Sequence, residues 1–272
     1  MYKRILIATD GTQYSTSAII EATEMARKGG GQVFLLHVLK DILNSDPFGA
    51  PSPEVADILY DSAKHFVNTF KGMALEDGVK NFETIVKQGV FVNDIIETAR
   101  EKEADLIMLG RRSSNIIKRL IRGSSTSRIL KLAPCDVLVV PWASLIQWNT
   151  VILALDERHF SEKTVGKALA IAKSEGSKLI AMAISSSEEG LKRAEKNIAI
   201  VAKQSEAAGV TSGCISAMGN PVVEIAGAVA SKKADTIITS GPHSWGLRET
   251  FIGGFAERLI DSTYCSVLIV RG

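Results

Sequence analysis

The chain has little cysteine, no long hydrophobic run and no surplus of charge, and each lack removes a class of protein. Its three cysteines, Cys135, Cys214 and Cys265, form no C-x-x-C pair and no regular framework. A disulfide scaffold is excluded, a reducing compartment suits the pattern, and the thiols read as small buried apolar groups. Apolar stretches are interrupted by Asp, Lys, Arg or Pro after a handful of residues, well short of the roughly 18 needed to span a bilayer. The first of them, Ile5 to Thr9, is too short for the ~7–15-residue core of a signal peptide, so the expectation is a cytoplasmic protein with no membrane partner. With 32 Lys and Arg against 30 Asp and Glu, the formal charge of +2 gives no footprint for a nucleic-acid partner. Neither a Walker G-x-x-x-x-G-K-[ST] nor a dinucleotide G-x-G-x-x-G occurs, which argues against a P-loop NTPase or a nicotinamide enzyme. The four histidines, His37, His65, His159 and His243, lack metal-site spacing. His37, in an apolar segment, reads as a satisfied core residue.

What is present is a globular composition, 46% hydrophobic and 23% charged over 272 residues, enough for about two average domains. The chain repeats itself. Ile5-Leu-Ile-Ala-Thr-Asp10 returns as Ile152-Leu-Ala-Leu-Asp156, and Gly89, Asp94 and Asp105 return as Gly219, Glu224 and Asp235. Gly123, Arg128, Cys135 and Val137–Val140 then fall on Gly253, Arg258, Cys265 and Val267–Val270 without a gap. Domains of 1–144 and 145–272 follow, joined by a linker from about Pro141 to Asn149 whose Trp142 and Trp148 are expected between them. The Pro/Gly/Ser-rich stretch Asp41–Pro53 accounts for the extra length of the first copy and reads as a long surface loop. In each copy strand-length apolar runs alternate with segments of helical period: Lys3–Thr9, Gln32–Val38, Phe82–Lys87, Asp105–Leu109 and Val137–Val140 in the first. That is an α/β pattern, a doubly wound five-stranded parallel sheet covered on both faces.

In such a sheet ligands bind outside the carboxyl ends of the strands where strand order reverses. The residues to watch are Thr9-Asp10-Gly11 and Leu109-Gly110-Arg111-Arg112-Ser113, followed by Gly123-Ser124-Ser125-Thr126-Ser127 at a helix start. Gly123 lets backbone approach a phosphate, and the hydroxyls with the free N–H groups of a helix start form an anion site; a plain Ser/Thr N-cap is the alternative. Charge favours phosphate, because Arg111 to Lys131 holds seven basic residues and no acid. The counterpart Gly241 to Asp261 carries Glu249, Glu257 and Asp261 against Arg248 and Arg258, and replaces Ser124-Ser125-Thr126 by Gly254-Phe255-Ala256. The second pocket is therefore expected to be degenerate. Pro242-His243-Ser244-Trp245-Gly246 has a partial likeness to a G-x-S-x-G elbow, but Pro242 replaces the glycine that the strained turn needs.

These residues carry a resemblance, over essentially the whole chain, to the universal stress proteins in their tandem form. Members that bind ATP share Gly, two residues, Gly, nine residues, Gly, then Ser or Thr. The first copy reads Gly110-Arg111-Arg112-Ser113, nine residues, Gly123-Ser124, with Ser113 in place of one glycine. The resemblance implies two tandem Rossmann-like domains whose last strands pair as an intrachain pseudo-dimer, and a homodimer of such chains. It implies that Ala8, Thr9 and Asp10 contact adenine and ribose and that Val38 borders the base. Gly110, Arg111, Arg112 and Ser113, with Gly123, Ser124, Ser125 and Thr126, would hold ribose and phosphates. The ligand implied is ATP, or ADP or AMP. Whether Mg²⁺ accompanies it is open, Asp10 being the one acid placed nearby. The function implied is a stress-response sensor or regulator that works by binding nucleotide and partners. No general base matched to a water nucleophile is evident, so catalysis is at most slow ATP hydrolysis. Two alternatives stay open: an interaction scaffold with both pockets decayed, and an enzyme, either a hydrolase built on Ser244 or a nucleotide-using ligase or transferase.

Overall fold

The computed structural model describes residues 2–40, 52–111, 125–155, 160–241 and 254–272. The first copy runs β1 (Arg4–Thr9), a 3₁₀ turn (Gln13–Ser15), α1 (Thr16–Gly29), β2 (Gln32–Lys40), α2 (Pro53–Glu76), β3 (Asn81–Gly89), α3 (Phe91–Glu101), β4 (Leu106–Arg111), α4 (Ser125–Leu132) and β5 (Asp136–Pro141). The second runs β6 (Thr150–Leu155), α5 (Glu162–Glu175), β7 (Lys178–Ser185), α6 (Glu188–Ala208), β8 (Ser212–Met218), α7 (Pro221–Lys232), β9 (Thr236–Ser240), α8 (Phe255–Ser262) and β10 (Ser266–Val270). Every strand expected from the apolar runs of the first copy is present. Pro53 opens α2 rather than closing the preceding loop, where its fixed φ and missing N–H suit a first helical position. The rest of that loop, 41–51, lies outside the described residues.

All ten strands form one sheet in the order β3-β2-β1-β4-β5-β10-β9-β6-β7-β8. Pairing is parallel within each copy and antiparallel where β5 meets β10, with Val139 opposite Val267 and Leu138 opposite Leu268. The expected pairing through the last strands is thus realised within one chain, and it removes two apolar edges that would otherwise template aggregation. Alternation within the strands decides which helices cover which face. Ile5, Ile7, Val33 and Leu35 pack with Ala18 and Ala22 of α1 and Val67 of α2, while Leu6, Ala8, Phe34 and Leu36 pack with Ile95 of α3 and Ile129 of α4. Both clusters continue through β5 and β10 into the second copy, so the apolar core does not stop at the seam.

Polar contacts fasten the seam. Asp136, buried, accepts from Tyr2 Oη–H at 2.7 Å and from the Arg271 backbone N–H at 2.8 Å, and Lys167 Nζ of α5 lies 3.4 Å away. The linker lies against α1, where Ala143 N–H donates to Ser17 Oγ at 3.0 Å and Ile146 N–H to Glu21 Oε1 at 2.7 Å. Trp148 is buried in the core shared by the two copies, as expected. Trp142 is not: it is 40% exposed and meets Tyr14 of the first copy edge to face, with ring centroids 6.0 Å apart.

Candidate functional site

In the first copy the connections from β1 run outward through β2 to β3, and those from β4 run the other way to β5. The crevice outside the carboxyl ends of β1 and β4 is therefore the topological switch point. Thr9 ends β1 and anchors a tight polar turn. Ser15 Oγ gives its hydrogen to the Thr12 carbonyl at 2.9 Å, so the Thr9 hydroxyl donates to Ser15 Oγ at 2.7 Å and accepts from Gly11 N–H at 2.9 Å. Asp10 is exposed, and its Oδ1 accepts from both the backbone N–H of Thr12 at 3.0 Å and the Thr12 hydroxyl at 2.7 Å. Asp10 thus closes an Asx turn rather than capping α1, whose N-cap position is held by Ser15. Gly11 takes φ +79°, and a Cβ there would fall 2.7 Å from His37 Cε1, so both backbone and space require glycine.

Gly110, at the end of β4, has a packing reason of its own. A Cβ there would lie 2.1 Å from the Tyr14 carbonyl oxygen and 2.5 Å from Ser15 Cα, because β4 ends directly against the 3₁₀ turn. The glycine brings the two walls of the crevice together. Ala8 and Val38 lie in one buried apolar cluster on the α3/α4 face, each pointing to the side of the sheet on which α4 begins. At that amino end Ser125 is exposed, Thr126 half-buried, and the first turn carries no acid.

The structure does not bring every expected residue to this crevice. Arg111 was expected beside phosphate, but its Nη2 donates to the Thr263 carbonyl at 2.6 Å and to the Cys265 carbonyl at 3.4 Å, both in the second copy. Burial makes its guanidinium less basic. Its chemistry, two donors on carbonyls before β10, is that of a clamp across the seam. Arg112, Ser113, Gly123 and Ser124 lie outside the described residues, as do His159, His243 and Ser244 with the elbow-like segment. His37 departs from its reading as a satisfied core residue. It lies opposite Thr9 in the β1/β2 register, edge to face with Phe66 at 5.7 Å, and its buried Nδ1 has no hydrogen-bond partner among the described residues. Burial lowers its pKa while nearby Asp10 opposes that shift. Desolvation raises the thiol of half-buried Cys135 to about 12 and that of buried Cys265 to about 11, which keeps both protonated and unreactive, whereas Cys214, read from the sequence as buried, is exposed.

The corresponding helix start in the second copy is chemically different. Glu257, the third residue of α8, is 8% exposed, and its Oε2 lies 2.6 Å from where a Cβ on Gly254 would stand. The carboxylate therefore folds over its own helix amino end, the place where an anion would otherwise sit. Its Oε1 accepts from Ser127 Oγ–H of α4 at 3.0 Å. Sequence reasoning gave Glu257 only the first of these roles, because a contact across the seam leaves no local signal. Among the described residues no group of three His, Cys, Asp or Glu side chains is placed to hold a metal ion. Nor is any helix among them long and apolar enough to cross a membrane.

The model of the universal stress protein family matches this chain twice, over residues 1–141 and 147–271. A universal stress protein of Methanocaldococcus jannaschii is 34% identical over 145 residues, which is 52% of this chain and 82% of that protein. The crystal structure of a universal stress protein from Archaeoglobus fulgidus superposes with a TM-score of 0.80 over 98% of this chain and 96% of its own, at 18% identity, and so shares the fold. A universal stress protein solved in complex with cAMP matches 52% of this chain and 99% of its own, at 21% identity and a TM-score of 0.41.

Proposed function

The chain belongs to the universal stress protein family, with two family domains in tandem, and from that premise we propose that its first copy binds an adenine nucleotide and serves as a stress-response sensor or regulator. The observation that carries the reading is the contrast between two equivalent helix starts. That of α4 offers Ser125 and Thr126 with no acid of its own in the first turn, whereas Glu257 folds over that of α8. Phosphates favour an uncovered amino end and are repelled by a covered one. Opposite α4, across the switch point, the exposed Asp10 keeps Oδ2 without a hydrogen bond among the described residues, a fitting acceptor for ribose hydroxyls. Ala8 and Val38 supply an apolar floor for the base. Gly110, and the Gly123-Ser124 that precedes α4, complete the cradle in this reading. Arg111 takes no part in it.

In this reading these residues bind and orient, and among the described residues none is placed to activate a water. The action is accordingly a change of conformation or partner on binding. A divalent ion such as Mg²⁺ would neutralise phosphate charge, with Asp10 the acid nearest to it, and no step depends on it. The test is to denature the purified protein without added ligand and count released nucleotides per chain by mass spectrometry, then to titrate ATP, ADP, AMP and cAMP. About one adenine nucleotide per chain is expected. The double variant Ser124→Ala/Thr126→Ala should weaken ATP binding roughly tenfold or more, the worth of hydrogen bonds to a charged group, with an unchanged melting temperature. Unaltered affinity removes the assigned site, and two nucleotides per chain would show that Glu257 does not close the second.

A further inference from the structure

Where α1, the linker and α5 meet, the seam between the copies encloses a cavity of about 90 Å³ lined in part by Tyr2, Glu21, Met25, Ile146, Trp148 and Ile171. One water needs roughly 10–15 Å³ measured this way, and a cavity of roughly 150 Å³ holds benzene, so the space suits a ligand of a few heavy atoms. The lining is mostly apolar and aromatic. The charged groups around it are already paired: Lys28 with Glu24 at 3.5 Å and Glu175 at 3.9 Å, and Lys167 with Asp136 at 3.4 Å. Glu21 is the exception. It is 5% exposed, one carboxylate oxygen accepts from the Ile146 N–H at 2.7 Å, and among the described residues it has no cation within ion-pairing distance.

We propose that this cavity is a binding site for a small primary amine with an apolar body, the ammonium group pairing with Glu21 and the body packing on Trp148, Met25 and Ile171. A carboxylate with one satisfied oxygen and no cation among the described residues is what a protonated amine completes, and Trp148 favours the same charge, the Tyr2 ring being held already by Lys167 Nζ 4.2 Å from its centroid. An anion would meet Glu21 unshielded, since the neighbouring lysines are engaged. The titratable groups around Glu21 come from every element packed there: Glu24 and Lys28 on α1, Lys167 and Glu175 on α5, Tyr2 before β1 and Asp235 before β9. Burial is the largest influence and raises its pKa to about 7, so the carboxyl is mostly ionised at pH 8 and mostly neutral at pH 6. The site is independent of the nucleotide crevice and uses none of its residues.

The experiment is a titration of the full-length ¹⁵N-labelled protein with n-butylamine at pH 8 and pH 6, with butan-1-ol as the neutral isostere. The backbone amide of Ile146 and the indole N–H of Trp148 report the site. Saturable shifts at both are expected with butylamine, about tenfold weaker at pH 6 because the ionised fraction falls about tenfold. Butan-1-ol should bind at least tenfold more weakly at pH 8 and show no pH dependence. Glu21→Gln keeps an acceptor for Ile146 and should fold, yet lose the amine. Ala170→Phe, on an exposed residue of the cavity lining, should block the cavity without touching Glu21. Absence of saturable shifts at pH 8, equal binding of amine and alcohol, or wild-type amine affinity in Glu21→Gln would each overturn the proposal.

Discussion

Glu21→Gln also yields a prediction about stability that needs no ligand. Burial raises the Glu21 carboxyl from 4.5 to about 7, and each tenfold displacement of a protonation equilibrium is worth about 1.4 kcal/mol. The folded state therefore disfavours the ionised form by about 3 kcal/mol relative to the unfolded chain. A raised carboxyl contributes stability that is fully present below about pH 4.5 and lost as pH rises towards 7, above which the loss is constant. Glutamine has no such dependence and can still accept the Ile146 N–H now held at 2.7 Å. All other titrating groups are common to both proteins, so the difference between them isolates this carboxyl. The melting-temperature gap between variant and wild type should widen in the variant's favour from pH 4 to pH 8. At roughly 2–4 °C per kcal/mol for chains of 150–250 residues, the widening is about 5 °C or more, most of it complete by pH 7. Differential scanning calorimetry at four pH values measures it. A gap that stays constant or narrows as pH rises would refute the reasoning.

Two further substitutions separate packing from ligand roles in the crevice. Gly110→Ala sets a methyl 2.1 Å from the Tyr14 carbonyl oxygen, so urea denaturation should show a loss of about 1–3 kcal/mol or more, with weakened nucleotide binding as the 3₁₀ turn is displaced; wild-type stability would show that the wall can yield. Arg111→Met removes the donors to the Thr263 and Cys265 carbonyls and should cost about 1–3 kcal/mol while ATP affinity stays within twofold. Lost ATP affinity at unchanged stability would return Arg111 to the phosphate site.

The fold was legible because its signals are local and periodic. Alternation in Ile5–Thr9 and Gln32–Val38 does place Leu6 and Ala8 on one face and Ile5 and Ile7 on the other. The repeat anchors also have a shared cause. A Cβ on Gly89 would fall 2.5 Å from Asp94 Oδ2, and one on Gly219 would fall 3.0 Å from Glu224 Cγ. In both copies an acid early in a helix folds over the glycine before it, so glycine and acid recur together. The turn from Gln13 to Ser15 had no such period, yet it gives Gly110 a packing role that the sequence did not show. The seam contacts of Arg111 were not legible, because a count of charges has no direction and its acceptors lie 152 and 154 residues away. Glu21 has no local signal: an acid in an amphipathic helix looks solvated until the linker is laid over it.

The seam is asymmetric in a way that selects its own pairing. Ser127 and Glu257 are equivalent positions 130 residues apart, and they face each other, hydroxyl to carboxylate, at 3.0 Å in a buried setting. Equivalent positions in contact mean that two first copies paired alike would set Ser127 against Ser127, and two second copies would set Glu257 against Glu257. The mixed pair makes a charge-assisted bond, whereas two buried carboxylates would repel until one took up a proton. The second copy's acid thus discourages pairing of second copies with each other while giving the first copy an acceptor. Ser127→Glu tests this by setting two acids face to face within the chain. Breaking a buried pair and leaving charge uncompensated costs about 3 kcal/mol or more. The variant should melt well below wild type at pH 8 and recover most of the difference near pH 5, as one carboxyl becomes protonated. Ser127→Gln, of similar size and uncharged, controls for bulk and should show no such recovery. Equal loss at both pH values in Ser127→Glu would mean that shape, not charge, sets the pairing.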